Sequence, residues 1–356
     1  MFVDSEQRIR ADELKSFVAD LFVRCGMATK DADVVADSLV VADLSGVHSH
    51  GVLRVPEYVK KMTTNGVNPT GRPRMTREFG GCMVVDGNNS MGQIGARFAM
   101  RQAIKRAELH GIAAAAVRGS NHCGAMGYYA EMALESGMIG IATTNALPTM
   151  APVGGVDRII GINPLAFAIP SGDEPPIVFD AAFSGSAHGK IRVYQQKGLE
   201  IPAGWAIDSE GKPTTDPAAA LEGLLLPSGG YKGAAMAMIM GIISSMLSGA
   251  AYGTELGDME RGPTAGLDGH FFAAIKIEAF EDPARFKSRV DGAIRQVHAS
   301  RLAPGADRVY TPGEKEFLNR QSYRRDGIPL NATTLADLDA VADELGVVGR
   351  THLLRA

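Results

Sequence analysis

Cysteine is scarce in this chain. Cys25, Cys82 and Cys123 lie far apart and form no CxxC pair. That excludes a disulfide framework and points to a reducing compartment, with the cytoplasm as the expected location. An excess of one charge is also missing. The net charge is −4 and no basic run stands out, so nucleic acid is not an expected partner. The first residues, MFVDSEQRIRADELK, are polar and charged, which predicts no signal peptide. No GxGxxG follows a strand pattern, so the ordinary dinucleotide fingerprint is absent. The histidines at 48, 50, 110, 122 and 188 lack zinc-ligand spacing and have no cysteine cluster beside them, so no metal is expected.

What remains is an ordinary soluble composition. The chain has 356 residues, 45% hydrophobic and 21% charged, enough for two domains and a large core. One stretch tests the soluble reading. Gly233 to Ala251 carries no charge and approaches membrane-spanning length. It is rich in Gly, Ala, Ser and Met, which let other backbones approach closely. A helix buried in a protein core is therefore expected, and no membrane.

Apolar spacing predicts a first helix through Leu14, Phe17, Val18, Leu21 and Phe22, stopped by Gly26. A second starts near Asp31, and a third runs from about Val52 to Asn65. Asn68 to Pro73 breaks the chain. The middle alternates: helix from Gln93 to His110, strand from Ile112 to Val117, helix from Gly127 to Ser136, strand from Met138 to Thr144. Leu165–Ile169 and Ile177–Phe179 read as further strands, and Asp208 to Gly211 as a hairpin turn. Helical patterns return over Phe286–Ser300 and Leu335–Leu345.

The chemistry concentrates in two segments. Ser49-His50-Gly51 is followed by Arg54, and Ser120-Asn121-His122-Cys123-Gly124 comes later. Arginine grips a carboxylate through two parallel hydrogen bonds. Histidine moves a proton near neutral pH. The pair suits a substrate with a carboxylate beside a carbonyl. His50 and Arg54 fall at or near a helix start, where free N–H groups receive anions. Gly185 to Lys190 is one residue short of a phosphate loop, and Ile191 stands where a hydroxyl would hold magnesium. Gly229-Gly230-Tyr231-Lys232-Gly233 offers backbone access to a phosphate or ribose.

These segments, with MAPVGG (150–155), GINPLAFAIP (161–170), FDAAFSGSAHGK (179–190) and GWAIDSEGKPTTDP (204–217), resemble the malate/L-lactate dehydrogenase family. That family includes ureidoglycolate, sulfolactate and diketogulonate enzymes and cyclic imino-acid reductases. The resemblance implies an α/β fold with a mixed, largely antiparallel sheet, a non-Rossmann cofactor fold of the sulfolactate-dehydrogenase kind. It implies a helical domain built from both chain ends (1–74 with 285–356) around a central cofactor and sheet domain (75–284). It also implies NAD or NADP as cofactor, a small 2-hydroxy or 2-oxo acid as substrate, and a homodimer. Carried onto this chain, His50 and His122 are the acid/base candidates and Arg54 the carboxylate clamp, with Ser49 and Asn121 beside the substrate. Asp180, Ala181, Ala182, Ser184, Lys190, Tyr231, Lys232, Gly313 and Glu314, with His122, match cofactor contacts. Cys123, Tyr231 and Gly266 to His270 depart from the usual family pattern. A cyclic imine reductase and a non-catalytic binding protein are the alternatives.

Overall fold

A computed structural model of the chain describes residues 6–64, 66–258 and 262–347. Eleven α-helices are described: α1 Ala11–Arg24, α2 Thr29–Leu44, α3 Val55–Thr63, α4 Gly92–His110, α5 Gly127–Glu131, α6 His188–Gln196, α7 Pro217–Glu222, α8 Tyr231–Ser245, α9 Pro283–His298, α10 Glu314–Asp326 and α11 Ala332–Leu345. The apolar stripe of α1 is buried throughout, and Gly26, at φ +92°, turns the chain out of it. Asn331 caps α11 by accepting from the Thr334 N–H at 2.7 Å.

Both chain ends share one core. The strand Gln7–Ile9 pairs antiparallel with Ile328–Leu330. Leu14, Phe22, Leu39 and Tyr58 from the N-terminal helices pack with Leu335 and Leu338 of α11. Beside this core lies a seven-stranded sheet. Its order is Arg74–Phe79, Cys82–Asp86, Ile112–Ser120, Asp268–Lys276, Met138–Thr144, Leu165–Ile169 and Ile177–Ala181. Every neighbouring pair is antiparallel except Cys82–Asp86 with Ile112–Ser120. The expected mixed, largely antiparallel sheet is present. Its buried side packs Val85, Val117 and Phe272 against Ala96, Met100 and Ala103 of α4. A smaller five-stranded sheet, with α6 and α7, forms a further unit within the central region.

The apolar run after Gly233 forms α8, which is half-buried rather than buried all round. Gly233, Ala234, Ala237, Met240, Gly241, Ser244 and Ser245 face inward. Met236, Met238 and Ile239, with Met246 and Leu247 just beyond the helix, face out. Among the described residues, no helix is long and apolar enough to cross a membrane.

Candidate active site

The two histidine segments meet. Between α2 and α3 the chain runs through two short 3₁₀ turns, His48–His50 and Val52–Arg54, so the third helix starts at Val55, later than its apolar spacing predicts. Strand Ile112–Ser120 delivers Asn121 and His122 to the same place. The His50 and His122 rings stack, with centroids 5.7 Å apart and planes at 22°.

His122 is held from behind. The Tyr58 hydroxyl lies 2.6 Å from His122 Nδ1. Gln93 Nε2 donates to the same hydroxyl at 3.2 Å, so the hydroxyl's own hydrogen points at Nδ1. The neutral ring then carries its proton on Nε2. Burial, then the charges of Arg54, His50 and Lys61, hold the His122 pKa well below the usual imidazole value. Burial and Arg54 press His50 down to about 4. Both rings are neutral at pH 7. Ser49 Oγ sits 2.9 Å from His50 Nδ1, which fixes that ring's orientation.

Arg54 lies at the edge of this pair. Its Nε donates to the Ser49 carbonyl at 2.8 Å and its Nη1 to Glu57 at 3.0 Å. Glu57 also pairs with the buried Lys61 at 2.9 Å. Burial pushes the Glu57 pKa up, but Lys61 and Arg54 outweigh it and hold the carboxylate ionised. The spacing of Arg54, Glu57 and Lys61, three and four apart, is the signal that could have found this cation-rich face. Tyr58 lies four residues after Arg54 but reads as a core residue from spacing alone.

Asn121, expected beside the substrate, is engaged by the protein itself. Its amide nitrogen donates to Asn89 Oδ1 at 3.0 Å and to the Ser90 carbonyl at 2.8 Å, and its oxygen accepts from Gly266 N–H at 2.9 Å. Both ends of the amide brace loops. Cys123 is buried with its thiol 3.6 Å from His270, and burial pushes that thiol's pKa well up.

The residues matched to cofactor contacts divide between two places. Asp180, Ala181 and Gly313 line a cleft of about 430 Å³ between the sheet edge, α2, α5 and α10. Its wall reaches Val47 and Ala125, each three residues from a site histidine. Asp180 accepts from the Gly127 N–H at 2.7 Å, and the protein packed around it pushes its pKa up to about 6. Gly313 has φ +84°, and a Cβ there would lie 2.6 Å from the Val178 carbonyl oxygen. Such a bare backbone edge and this volume suit part of a dinucleotide. Tyr231 lines a second groove, with Ala151–Val156 and Gly229–Gly230. Ser184 bridges to Pro227, which ties the two regions together. Ala182 follows the cleft strand half-buried, and Lys232 is exposed on the first turn of α8. The Lys190 ammonium sits 4.7 Å over the Trp205 ring, engaged within the smaller unit. The Glu314 side chain is corrected to a brace. It is buried and accepts from Thr311 N–H at 3.0 Å and pairs with His298 at 2.8 Å and with Arg308, while its backbone N–H donates to the Thr311 carbonyl at 3.1 Å.

A family model described as malate/L-lactate dehydrogenase matches residues 9–339. The chain belongs to that family. The malate dehydrogenase of Pyrococcus abyssi is 40% identical over 350 residues, 96% of each chain. The solved sulfolactate dehydrogenase of Methanocaldococcus jannaschii superposes with a TM-score of 0.90 at 35% identity, covering 98% of this chain and 99% of that one. A delta1-piperideine-2-carboxylate reductase from Pseudomonas syringae pvar. tomato gives 0.84 at 30% identity, covering 94% and 100%. Family membership makes this chain a dehydrogenase, and its fold is the one these dehydrogenases share.

Proposed function

We propose that this protein transfers a hydride between the nicotinamide of NAD or NADP and the C2 of a small 2-hydroxy or 2-oxo acid. The observation that carries the reading is the 2.6 Å contact of Tyr58 with His122, a proton-transfer group whose far nitrogen is oriented by a third residue. Asp180, Ala181 and the Gly313 backbone would hold part of the cofactor, which supplies or accepts the hydride when bound.

Arg54 takes the substrate carboxylate, with its Nη2 edge presented to it. The carboxylate offsets the Arg54 charge and so lifts one cause of the low His122 pKa. During reduction, protonated His122 gives its Nε2 proton to the carbonyl oxygen as the C–H bond forms at C2. During oxidation, Nε2 takes the hydroxyl proton, and the ring's Nδ1–H donates to the Tyr58 oxygen. A hydroxyl can serve both tautomers because it donates and accepts. His50 stacks on His122, and Ser49 holds its ring. Lys61 adds a second cation nearby, which suits substrates with more than one anionic group. A homodimer belongs to the proposal, supported by the outward apolar side chains Met236, Ile239, Met246 and Leu247.

The test is initial-rate oxidation of NADH and NADPH at 340 nm with pyruvate, oxaloacetate, 2-oxoglutarate, 2,3-diketogulonate and piperideine-2-carboxylate. Turnover of a 2-oxo acid is expected, and His122→Ala should lower kcat by about 10²–10⁴-fold, the usual share of proton transfer. Preference for the imine would move the assignment to a cyclic imino-acid reductase, the activity named for one solved relative. Absence of both turnover and cofactor binding would leave a non-catalytic binding protein.

A further inference from the structure

The segment that presents His50 and Arg54 is two single 3₁₀ turns, too short to hold its own shape. What fixes it comes from below. Asp43 lies in the last turn of α2, 1% exposed. A carboxylate is poorly placed there on two counts. The C-terminal end of a helix already carries partial negative charge, and burying a carboxylate costs free energy unless it is fully engaged. Asp43 is engaged on both oxygens. Oδ1 meets His48 Nδ1 at 2.7 Å, and Oδ2 accepts from the Val52 N–H at 2.7 Å. The remaining neighbour is Gly51. A Cβ on Gly51 would lie 2.1 Å from Oδ1 and 2.3 Å from Oδ2, so only a bare backbone lets the carboxylate come this close. Gly51 has φ −89°, so close approach, not unusual backbone conformation, is what demands glycine here.

The second grip comes from α10. The His48 ring stacks on Tyr323, centroids 6.4 Å apart and planes at 24°. Asn319 donates to the Ser45 carbonyl at 3.2 Å, and Arg320 Nε donates to Ser45 Oγ at 2.7 Å. The segment from Ser45 to Val52 is thus pinned at its start by α10 and at its middle and end by Asp43.

We propose that Asp43 is a positioning residue of the active site: its carboxylate fastens His48 and Gly51-Val52 so that His50 and Arg54, on either side of Gly51, are set against His122. Asp43 touches neither substrate nor cofactor in this role. The proposal rests on the reading of His50, Arg54 and His122 as the reaction site.

Three variants test it in the full-length protein: Asp43→Ala, Asp43→Asn and His48→Ala. Asparagine keeps an oxygen for the Val52 N–H and offers its amide to the His48 lone pair. With the best 2-oxo acid, Asp43→Ala is expected to lose about 10²-fold in kcat/KM, the scale of a misplacement near 1 Å. Asp43→Asn should stay within about threefold of wild type, because both hydrogen bonds can re-form. His48→Ala, which leaves the Val52 bond intact, should fall between them. Cofactor dissociation constants should be unchanged in all three. A merely structural role would weaken cofactor and substrate together and would not be rescued by asparagine, and either result overturns the proposal. Wild-type kinetics in Asp43→Ala also overturns it. If Asp43→Ala does not fold, Asp43→Asn and His48→Ala still decide. Hydrogen exchange at the Val52 amide separates the two readings. Protection lost in Asp43→Ala and kept in Asp43→Asn supports the anchor even if wild type turns over no 2-oxo acid, a result that sinks the reaction assignment alone. Unchanged protection in Asp43→Ala, or loss in both variants alike, overturns the anchor whatever the kinetics.

Discussion

At Tyr58 the ring and the oxygen have separate tasks. The ring is buried, 6.5 Å from Phe22, and the oxygen alone reaches His122. Tyr58→Phe therefore keeps the packing and removes the orienting partner of Nδ1. The expected result is a kcat fall of roughly 10²-fold, the lower part of the range for proton transfer, with cofactor affinity unchanged. Steady-state rates with a fluorescence titration of NADH or NADPH check it, and a wild-type kcat would mean that His122 is oriented without Tyr58. This residue also shows what was legible at this scale. The two segments that meet here, with His50, Ser49 and Arg54 in one and His122 in the other, drew notice because each sets an imidazole between small residues and the first adds a guanidinium three residues on. Tyr58, Gln93, Asp43 and Lys61 did not. Each sits at a position that apolar spacing or helix pattern explains already, and only the folded chain brings Tyr58 and Gln93 to His122, Asp43 to His48 and Val52, and Lys61 to Glu57. Asn121 and Glu314 were read toward ligands, and their neighbours in sequence say nothing of the loops that their side chains brace.

Among the elements, the junction of the sheet edge with α10 carries the cleft proposed for the cofactor. Val178 N–H donates to the Pro312 carbonyl at 3.0 Å, and Gly313 opens α10 immediately afterwards. Gly313→Ala puts a methyl 2.6 Å from the Val178 carbonyl oxygen in a left-handed backbone conformation. The strand and helix must part. Cofactor affinity is expected to fall about tenfold or more, and stability by about 1–3 kcal/mol, the usual cost of overpacking. Gly292→Ala on α9 meets open space and is the control, expected to be neutral or up to about 1 kcal/mol stabilising. Equal cofactor binding in Gly313→Ala would remove this junction from the site. The elements read from the sequence lie within a few residues of those observed where the apolar period is local. Strands Arg74–Phe79, Cys82–Asp86 and Asp268–Lys276 and helices α6, α7 and α10 were not read at all, and two further elements were misjudged. Helix α3 starts late because the 3₁₀ turns take the residues its period claims. Helix α8 is apolar all round, so its sequence cannot say which side is covered; most of its small residues lie on the inward side, with Met240 among them and Ala235 facing out.

Across the whole molecule, charge burial couples the site to stability. The strand Asp268–Lys276 breaks register with Ile112–Ser120 between Asp268 and His270, so both flank the bulge beside Asn121 and His122. Burial presses His270 down to about 3 and raises Asp268 to about 7, with Lys61 partly opposing the latter. The signs differ. A histidine with a lowered folded pKa binds its proton only on unfolding, so His50, His122 and His270 remove stability as pH falls below about 6.5. A carboxyl raised in the folded state does the reverse. Asp268 favours folding below its ordinary value of 3.8, and that contribution is lost as pH rises through about 7. Asp268→Asn fixes the neutral form, and the histidine contributions cancel in the difference from wild type. The Tm difference between the two proteins should therefore be smallest at pH 4.5. It should grow in favour of asparagine up to about pH 8, reaching on the order of a few degrees. Thermal scans at pH 4.5, 6 and 8 measure it. A difference that does not change with pH would show that Asp268 titrates in the fold as it does in the open chain, and that Lys61 fully compensates its burial.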